Sequence, residues 1–457
     1  MKLTFYGGAG AVTGANYLLE FDDPSHKNGK QKILIDCGLS QGGNEAERGN
    51  FKPFPYKASE IDRVLITHAH IDHSGLLPKL IKAGFKGNIF STAPTRDFAE
   101  PLLLDAEHIM RNDAEKYKST PIYSIEDVTN MLKQWHAVDY EKLLPLGGGG
   151  ASAMFYSAGH ILGSASILIH AEGKNILFSG DLGNAPAPLI GPPEPPADVD
   201  YCLIESAYGD RIHEDLAQRR KKLEEVAINS IQTGGTLMIP TFALSRTQIL
   251  LLELKHLFEK HEVKPVPVFL DSPLAIKITE IYNKYRGYFR PEVASRFAHP
   301  ESIFDFPNLR ITPTTEESKS INKVKGPKII IAGSGMSTAG RILHHEKRYL
   351  PDANSTLLIF GYQVAGTLGR MLLDGKKRVK IMGEQVNVKA RVRAIGAYSA
   401  HADQNQLIEW VKPFKDKVKK IFVVQGDPKS SGALADRIKK EYKIDAVVPK
   451  NRGSVTL

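Results

Sequence analysis

The segment THAHIDHSG, residues 67–75, concentrates metal-binding side chains more than any other part of the sequence. It carries three histidines and an aspartate within six positions of a chain that has 15 histidines in 457 residues. The apolar run RVLIT before it is typical of a strand. Ser74 is typical of a helix N-cap and predicts a helix over 74–83. The cluster is therefore expected at a turn from a strand to a helix.

The spacing of the cluster suits two metal ions. His68 and His70 are two positions apart, and side chains at that spacing share one face of an extended chain. We therefore expect both imidazoles to reach one ion, and Asp72 and His73 to reach a second ion where the chain turns. Imidazole and carboxylate are ligands of zinc and similar ions, so the sequence predicts a metal site.

Polar residues also follow three other predicted strands. His160 occurs in SAGHILGS, Asp181 in LFSGDLGN and Asp36 in LIDCG. Each follows an apolar run and has glycine close by, which allows backbone to approach a site closely. Any one of them alone is typical of a turn or a cap. Together with the histidine cluster, they are expected to complete the metal site.

The order of strand-like and helical segments along the chain, together with its length, predicts an α/β protein of two or three domains. Its first 200 residues alternate short β-branched runs with glycine turns, which predicts a half dominated by strands. The glycine-rich stretch at 7–14 imitates a dinucleotide-binding loop, but a strand-like run follows it and indicates a hairpin turn. After about residue 208, strands alternate with longer helices, which predicts a parallel sheet. These helices are predicted over 214–233, 245–260 and 274–285.

Composition indicates a globular protein. Hydrophobic residues make up 42% and charged residues 24% of the chain, and no apolar run reaches the roughly 18 residues that a membrane span needs. The start, MKLTFYGGAG, lacks a charged-then-apolar leader, so we expect a cytoplasmic protein that is not membrane-bound. Cys37 and Cys202 lie far apart and are expected to be buried and reduced. The net charge of +9 is compatible with a polyanionic partner.

Taken in order, Asp36, the HAHIDH segment, His160 and Asp181 resemble the metal-binding motifs of the metallo-β-lactamase superfamily. The resemblance implies a four-layer αββα sandwich with two zinc ions. It also implies ligand-orienting work by Asp36. The implied ligands are His68, His70 and His160 for one zinc and Asp72 and His73 for the other, with Asp181 bridging both.

Motifs of the second half narrow the resemblance. IESAYGDR, TFALSRTQ, DSPLA, GSGM, GYQVAGTLGR and YSAHAD resemble segments of the β-CASP nucleases. Within that group they resemble the bacterial and archaeal RNases related to the nuclease that cleaves mRNA 3′ ends. The resemblance implies a metallo-β-lactamase domain over 1–208, an inserted α/β β-CASP domain with a mainly parallel sheet over 209–390, and completion of the first domain by 391–457.

The resemblance implies a zinc-dependent hydrolase that cuts RNA phosphodiester bonds. A hydroxide between the metals would attack phosphorus and leave 5′-phosphate and 3′-hydroxyl products. A pair of Glu205 and His401 would act as general acid. The implied catalytic residues are Asp72, Asp181, Glu205 and His401. Internal cleavage and 5′–3′ exonuclease action both remain open, as does a homodimer.

The sequence departs from the family pattern at Gln425. The segment VVQGDP has this glutamine where the family pattern has a histidine ligand of the second zinc. Glutamine is a poor zinc ligand, although its carbonyl can coordinate harder ions. We therefore expect a weaker or manganese-preferring second site. The alternative is a non-catalytic RNA-binding or scaffold homologue.

Residues at predicted strand ends of the second half are candidates for RNA contact. They carry glycine, hydroxyl or cationic groups, and exposed backbone N–H groups at such turns can meet phosphates. RNA is expected to lie in the cleft between the two domains. The candidates are Arg246, Ser272, Ser334, Gly335, Met336, Tyr362 and Thr367.

Overall fold

The protein is described here from a computed structural model. The described residues are 1–213, 216–259, 265–295, 302–361, 363–364, 366–395 and 399–457. They form two compact units, the first made of Met1–Ile212 with Ala400–Leu457 and the second of His213–Ser399. The second unit is thus an insertion in the chain of the first.

The first unit contains two mixed sheets. In spatial order, the first sheet has β22 (Ser454–Thr456), β1 (Lys2–Gly7), β2 (Asn16–Asp22), β3 (Lys30–Ile35), β4 (Arg63–Leu65), β5 (Asn88–Thr92) and β6 (Trp135–Val138). The second has β21 (Asp445–Val447), β20 (Lys420–Val424), β11 (Tyr201–Glu205), β10 (Lys174–Phe178), β9 (Ala165–Ala171), β8 (Ser152–Ser157) and β7 (Leu144–Pro145). The glycine-rich stretch at 7–14 joins the antiparallel strands β1 and β2, as predicted for a hairpin turn.

The two sheets face each other across an apolar core. Phe5 and Ile33 of the first sheet belong to the same buried cluster as Phe178 and Phe422 of the second. Residues adjacent to these along the strands of the second sheet, such as Leu177 beside Phe178, point to the other face of that sheet, because successive side chains of a strand alternate. That face packs against two helices, α13 (Gln404–Val411) and α14 (Pro428–Tyr442).

Helices also cover the first sheet, where α4 (Ala93–Tyr117) contacts β5 and β6. The layers are therefore helix, sheet, sheet and helix, which confirms the predicted fold class. The remaining helices of the first unit are α1 (Asn44–Gly49), α2 (Ile71–Ser74), α3 (Leu77–Lys82), α4 (Ala93–Tyr117) and α5 (Ile125–Lys133).

The helix predicted over 74–83 with Ser74 as its N-cap is wrong in its start. The chain forms α2 first, then breaks at Gly75 and resumes as α3. The Ser74 hydroxyl donates to the carbonyls of Ala69, at 3.0 Å, and His70, at 3.1 Å, so it bonds backward instead of capping a following turn. The helix therefore begins within the histidine cluster itself.

A parallel sheet forms the centre of the second unit, as the alternation of strands and helices in the sequence predicts. Each neighbouring pair of strands in this sheet is parallel. Its spatial order is β14 (Leu309–Ile311), β13 (Val268–Leu270), β15 (Lys328–Ala332), β12 (Thr236–Pro240), β16 (Thr356–Phe360) and β19 (Arg391–Ile395), and β17 (Arg378–Ile381) pairs with β18 (Glu384–Asn387). The helices are α6 (Leu216–Gln232), α7 (Arg246–Glu259), α8 (Pro273–Lys284), α9 (Pro291–Ala294), α10 (Thr315–Ser320), α11 (Ile342–Tyr349) and α12 (Leu368–Leu373).

The strand β19 moves the predicted boundary between the units. The sequence assigns 391–457 to the first domain, but β19 pairs with β16 in the sheet of the second unit. The chain returns to the first unit at Ala400 instead. The sequence of a strand does not show which of two sheets the strand joins.

Cys37 and Cys202 are both buried and free of disulfide bonds, as predicted. Among the described residues, no helix combines the length and apolar character needed to cross a membrane.

A buried carboxylate ties the second unit together. Asp271 follows β13 and accepts hydrogen bonds from Arg341 at 2.8 Å, from His345 at 2.7 Å and from Ser318 at 2.7 Å. Burial alone would raise the pKa of Asp271, but the hydrogen bonds from His345, Ser318 and Arg341 lower it to about 2. The ionised carboxylate therefore stabilises the folded unit.

We predict that Asp271→Asn lowers the free energy of unfolding by about 3–5 kcal/mol at neutral pH, because it leaves the Arg341 guanidinium without the buried carboxylate that pairs with it. The folded-state pKa lies below the ordinary value of 3.8, so this stability is present above that value and is lost as the pH falls towards about 2. In urea unfolding, the difference in free energy of unfolding between the wild type and Asp271→Asn should be smaller at pH 3 than at pH 7. The exposed pair of Arg370 and Asp374 gives the control, and Asp374→Asn should change stability by less than about 1 kcal/mol.

Candidate metal centre

The candidate centre lies at the carboxyl ends of strands in the first unit. The strands β3 and β4 are parallel neighbours, and so are β10, β11 and β20. The carboxyl ends of parallel strands share an edge of the sheet, so the residues after them come together. These residues are Asp36 after β3, 67–73 after β4, Asp181 after β10, Glu205 at the end of β11 and Gln425 after β20.

Three imidazoles and one carboxylate form a compact donor group. His70 Nδ1 lies 3.0 Å from His68 Nε2 and 3.2 Å from His160 Nε2. Asp181 Oδ2 lies 3.4 Å from His68 Nε2 and 3.5 Å from His160 Nε2. Tetrahedral zinc with bonds of about 2.0–2.1 Å separates its ligands by about 3.3 Å. The spacing and chemistry of these donors therefore fit one zinc ion.

Hydrogen bonds outside the donor group set which ring nitrogen faces it. His160 Nδ1 lies 3.3 Å from the carbonyl oxygen of Ala400, which can only accept, so Nδ1 carries the proton and Nε2 faces the centre. His68 Nδ1 lies 3.1 Å from the hydroxyl of Thr67. Each contact directs a nitrogen lone pair inward, as metal-binding histidines require.

Asp36 anchors the histidine cluster from behind. Its carboxylate accepts the backbone N–H of Thr67 at 2.8 Å, the hydroxyl of Thr67 at 2.9 Å and His73 Nδ1 at 2.7 Å. It is buried and has a φ of 58°. The geometry suits the orienting role expected for Asp36. The sequence reasoning did not single out Thr67, whose hydroxyl directly before the cluster was the available signal.

Burial and charge tune the donors for binding a cation. Burial lowers the pKa of His70 and His160 well below 6.5, so both rings are neutral at physiological pH. Burial alone would raise the pKa of Asp181, but His73, His401 and His68 hold it well below 3.8. Metal ligands must be deprotonated, and these three groups are in that state.

The second predicted position has a different environment. Asp181 Oδ1 lies 3.2 Å from His73 Nε2, and Asp72 Oδ2 lies 4.0 Å from the same nitrogen. The side-chain nitrogen of Gln425 lies 2.8 Å from both His73 Nε2 and Asp181 Oδ1. An amide N–H donor faces the two groups that a second cation would need, so the residues as arranged do not fit one.

Glu205 and His401 form a pair beside the donor group. His401 Nδ1 lies 3.2 Å from Glu205 Oε1 and 3.9 Å from Asp181 Oδ2. Glu205 is fully buried, and its two oxygens accept the backbone N–H groups of Leu182 and Ala207. Asp181, Glu205 and His401 also have donor atoms within 4.8 Å of one another. Because backbone donors already hold Glu205, the arrangement favours a hydrogen-bonded pair over a further cation site.

Three domain models match the sequence over most of its length. A metallo-β-lactamase superfamily domain covers 11–228, a Beta-Casp domain covers 247–372, and a Zn-dependent metallo-hydrolase RNA specificity domain covers 385–449. The chain belongs to the β-CASP branch of the metallo-β-lactamase superfamily. This family is one of metal-dependent hydrolases, and the motif resemblance is thereby confirmed.

Relatives of this β-CASP protein align over nearly its whole length. Ribonuclease TTHA0252 of Thermus thermophilus is 36% identical over 412 residues, covering 90% of this chain and 91% of that protein. The RNase J-like protein of Methanocaldococcus jannaschii is 31% identical over 434 residues, covering 93% and 94%. Transcription termination factor FttA of Methanosarcina mazei is 30% identical over 473 residues, covering 100% and 72%.

A solved structure supports the fold. The crystal structure of a protein of unknown function from Enterococcus faecalis V583 aligns with a TM-score of 0.56 at 12% identity, covering 100% of this chain and 99% of that one. At this identity the likeness concerns the fold alone.

The candidate RNA-contact residues follow strands of the second unit's parallel sheet. Arg246 begins α7 after β12, Ser334 to Met336 follow β15, and Thr367 precedes α12. Several hydroxyls already bond to local backbone: Ser272 accepts from the N–H of Ala275, Thr367 from that of Arg370, and Ser334 from those of Thr338 and Ala339. These three hydroxyl groups thus cap local turns and helix starts that follow the strands of this sheet. Tyr362 lies outside the described residues.

Gly38 gives a test of how tightly the cluster is held. A Cβ atom there would lie 1.6 Å from the carbonyl oxygen of Asp72, which accepts the backbone N–H of Ala15 at 2.9 Å. We predict that Gly38→Ala displaces the cluster, lowers the free energy of unfolding by about 1–3 kcal/mol and weakens zinc binding.

Thermal unfolding and zinc titration calorimetry measure both effects. The matched control is Gly432→Ala in α14, where the added methyl group meets open space. It should leave zinc affinity unchanged and stabilise the helix by at most about 1 kcal/mol. Equal zinc affinity in Gly38→Ala and the wild type would contradict the prediction.

Proposed function

We propose that the protein is a zinc-dependent ribonuclease that hydrolyses RNA phosphodiester bonds. The observation that carries the proposal is the proximity of the three-histidine donor group to the pair of Glu205 and His401, with Asp181 contacting both. A cation site beside a protonatable imidazole suits hydrolysis of a phosphodiester bond. The names of the ribonuclease relatives support RNA as the substrate.

His68, His70, His160 and Asp181 would hold the zinc ion. When bound, such an ion lowers the pKa of water and offsets negative charge on a phosphoryl group. Asp181 and Asp72 are proposed to orient the attacking water by accepting its hydrogen bonds. The neutral state of the buried His70 and His160 rings keeps them ready as ligands without a proton to displace.

His401 is proposed to protonate the departing 3′ oxygen. Its Nδ1 lies 3.2 Å from the Glu205 carboxylate, which fixes the proton on that nitrogen and makes Nε2 the one that exchanges a proton with the substrate. The His401 backbone is held as well, because it forms a β-bridge with Gly183 and the next residue, Ala402, donates its N–H to Leu182. Attack of water on phosphorus then leaves a 5′ phosphate and a 3′ hydroxyl.

The carboxyl edge of the second unit's sheet is the proposed place of RNA backbone contact. Arg246 supplies a cation there, and the turn at Gly335 supplies backbone N–H groups. The hydroxyls of Ser272 and Thr367 already cap helices, so their contribution is proposed to come through the turns that they stabilise.

A second candidate function is RNA binding without cleavage. The contacts of Gln425 with His73 and Asp181 favour it, since they occupy the position of the second metal ion expected from the family pattern. Incubation of the protein with labelled single-stranded RNA, matching DNA and zinc or manganese separates the two functions. Internally labelled and 5′-labelled RNA would distinguish internal cuts from stepwise removal of nucleotides.

We predict that the wild type cuts RNA, that a chelator stops it and that added zinc restores it. Asp181→Ala should abolish cleavage. His401→Ala should slow it by about 10²–10⁴-fold, the usual contribution of a positioned proton donor. The exposed His136 provides a matched control, and His136→Ala should cleave at the wild-type rate.

Two results would count against the proposal. RNA bound but uncut with either metal would favour the binding function. Wild-type cleavage by His401→Ala over the whole pH range would remove His401 from the mechanism.

A further inference from the structure

The two oxygens of the Asp181 carboxylate face different groups. Oδ2 lies 3.4 Å from His68 Nε2 and 3.5 Å from His160 Nε2, on the side of the three-histidine donor group. Oδ1 lies 3.2 Å from His73 Nε2 and 2.8 Å from the side-chain nitrogen of Gln425. One oxygen is therefore directed at the zinc position and the other at an amide donor.

Gln425 is held firmly in this position. Its side chain is buried, and its backbone adopts a φ of 51°, in the left-handed region. Its backbone N–H donates to the carbonyl of Gly8 at 2.6 Å. The residue is thus fixed from the backbone outward, at the end of β20, with its carboxamide between His73 and Asp181.

The hydrogen-bond partners decide which end of the carboxamide faces inward. His73 donates the proton on its Nδ1 to Asp36 at 2.7 Å, so its Nε2 is the nitrogen that faces Gln425 and Asp181. Asp181 Oδ1 is a carboxylate oxygen, which accepts hydrogen bonds and has none to donate. The Gln425 group that lies 2.8 Å from it is therefore the NH₂ group and not the carbonyl oxygen.

We propose that the carboxamide of Gln425 takes the place of a second cation, so that each chain binds a single metal ion at His68, His70, His160 and Asp181. The inference rests on the proposed metal centre and specifies its composition. A second ion would have to displace both amide hydrogen bonds. From Gln425 the ion would gain only a neutral and weak ligand in return, because glutamine coordinates zinc poorly.

Gln425 then acts as a positioning residue. By donating to Oδ1 it holds the Asp181 carboxylate at a fixed rotation, which keeps Oδ2 towards His68 and His160. A bridging carboxylate would share its two oxygens between two ions. Here an N–H group offsets part of the charge on one oxygen, and the single cation is bound by the other.

Metal content of purified full-length protein tests the inference. Wild type, Gln425→His and Gln385→His are dialysed against the same buffered free zinc, and zinc per chain is measured by mass spectrometry. We expect about one zinc ion in the wild type and about two in Gln425→His, where an imidazole joins His73, Asp72 and Asp181. Histidine tolerates a positive φ comparatively well, so the variant should fold; its thermal unfolding is measured in parallel.

Gln385→His is the matched control, because Gln385 is exposed in β18 and the change adds an imidazole elsewhere. It should remain at about one zinc ion per chain. About two ions in the wild type would overturn the inference. About one ion in a folded Gln425→His would also overturn it, since Gln425 would then not be what excludes the second ion.

The outcome is separable from that of the proposed function. A wild type that cuts RNA with two zinc ions bound would refute the inference and keep the ribonuclease. A wild type with one zinc ion and no cleavage would keep the inference and refute the ribonuclease.

Discussion

The charge of Asp181 is the constraint on which the rest of the site depends. A buried carboxylate is costly unless its oxygens are paired, and the surrounding imidazoles and the Gln425 amide provide those pairings. Their elements come from far apart in the sequence, since β4, β10, β11 and β20 each end beside this carboxylate. The two facing sheets bring these strand ends together, and the chemistry of the site follows from that placement.

Much of this was predictable from local pattern. The histidine cluster, the strand-end acids and the hairpin at 7–14 are readable because metal ligands and turns have short-range sequence patterns. The start of the helix after the cluster was not, because Ser74 bonds backward to Ala69 and His70. The position of β19 was missed for a different reason: a strand's sequence does not state which sheet it joins.

The orientation of Gln425 shows a further limit of sequence reasoning. The sequence indicates a missing histidine ligand and therefore a weak second site. It does not reveal that the amide nitrogen lies 2.8 Å from both His73 and Asp181, because that contact joins residues 352 and 244 positions apart. Glutamine in place of the family's histidine therefore adds a hydrogen-bond donor to the site, besides removing a metal ligand. In the second unit the hydroxyls of Ser272 and Thr367 likewise have capping partners that motif matching does not show.

The most direct test of this account is an anomalous difference map from crystals of the wild-type protein soaked in zinc. The account predicts a strong peak within bonding distance of His68 Nε2, His70 Nδ1, His160 Nε2 and Asp181 Oδ2. The absence of any peak among these four atoms at excess zinc would contradict it.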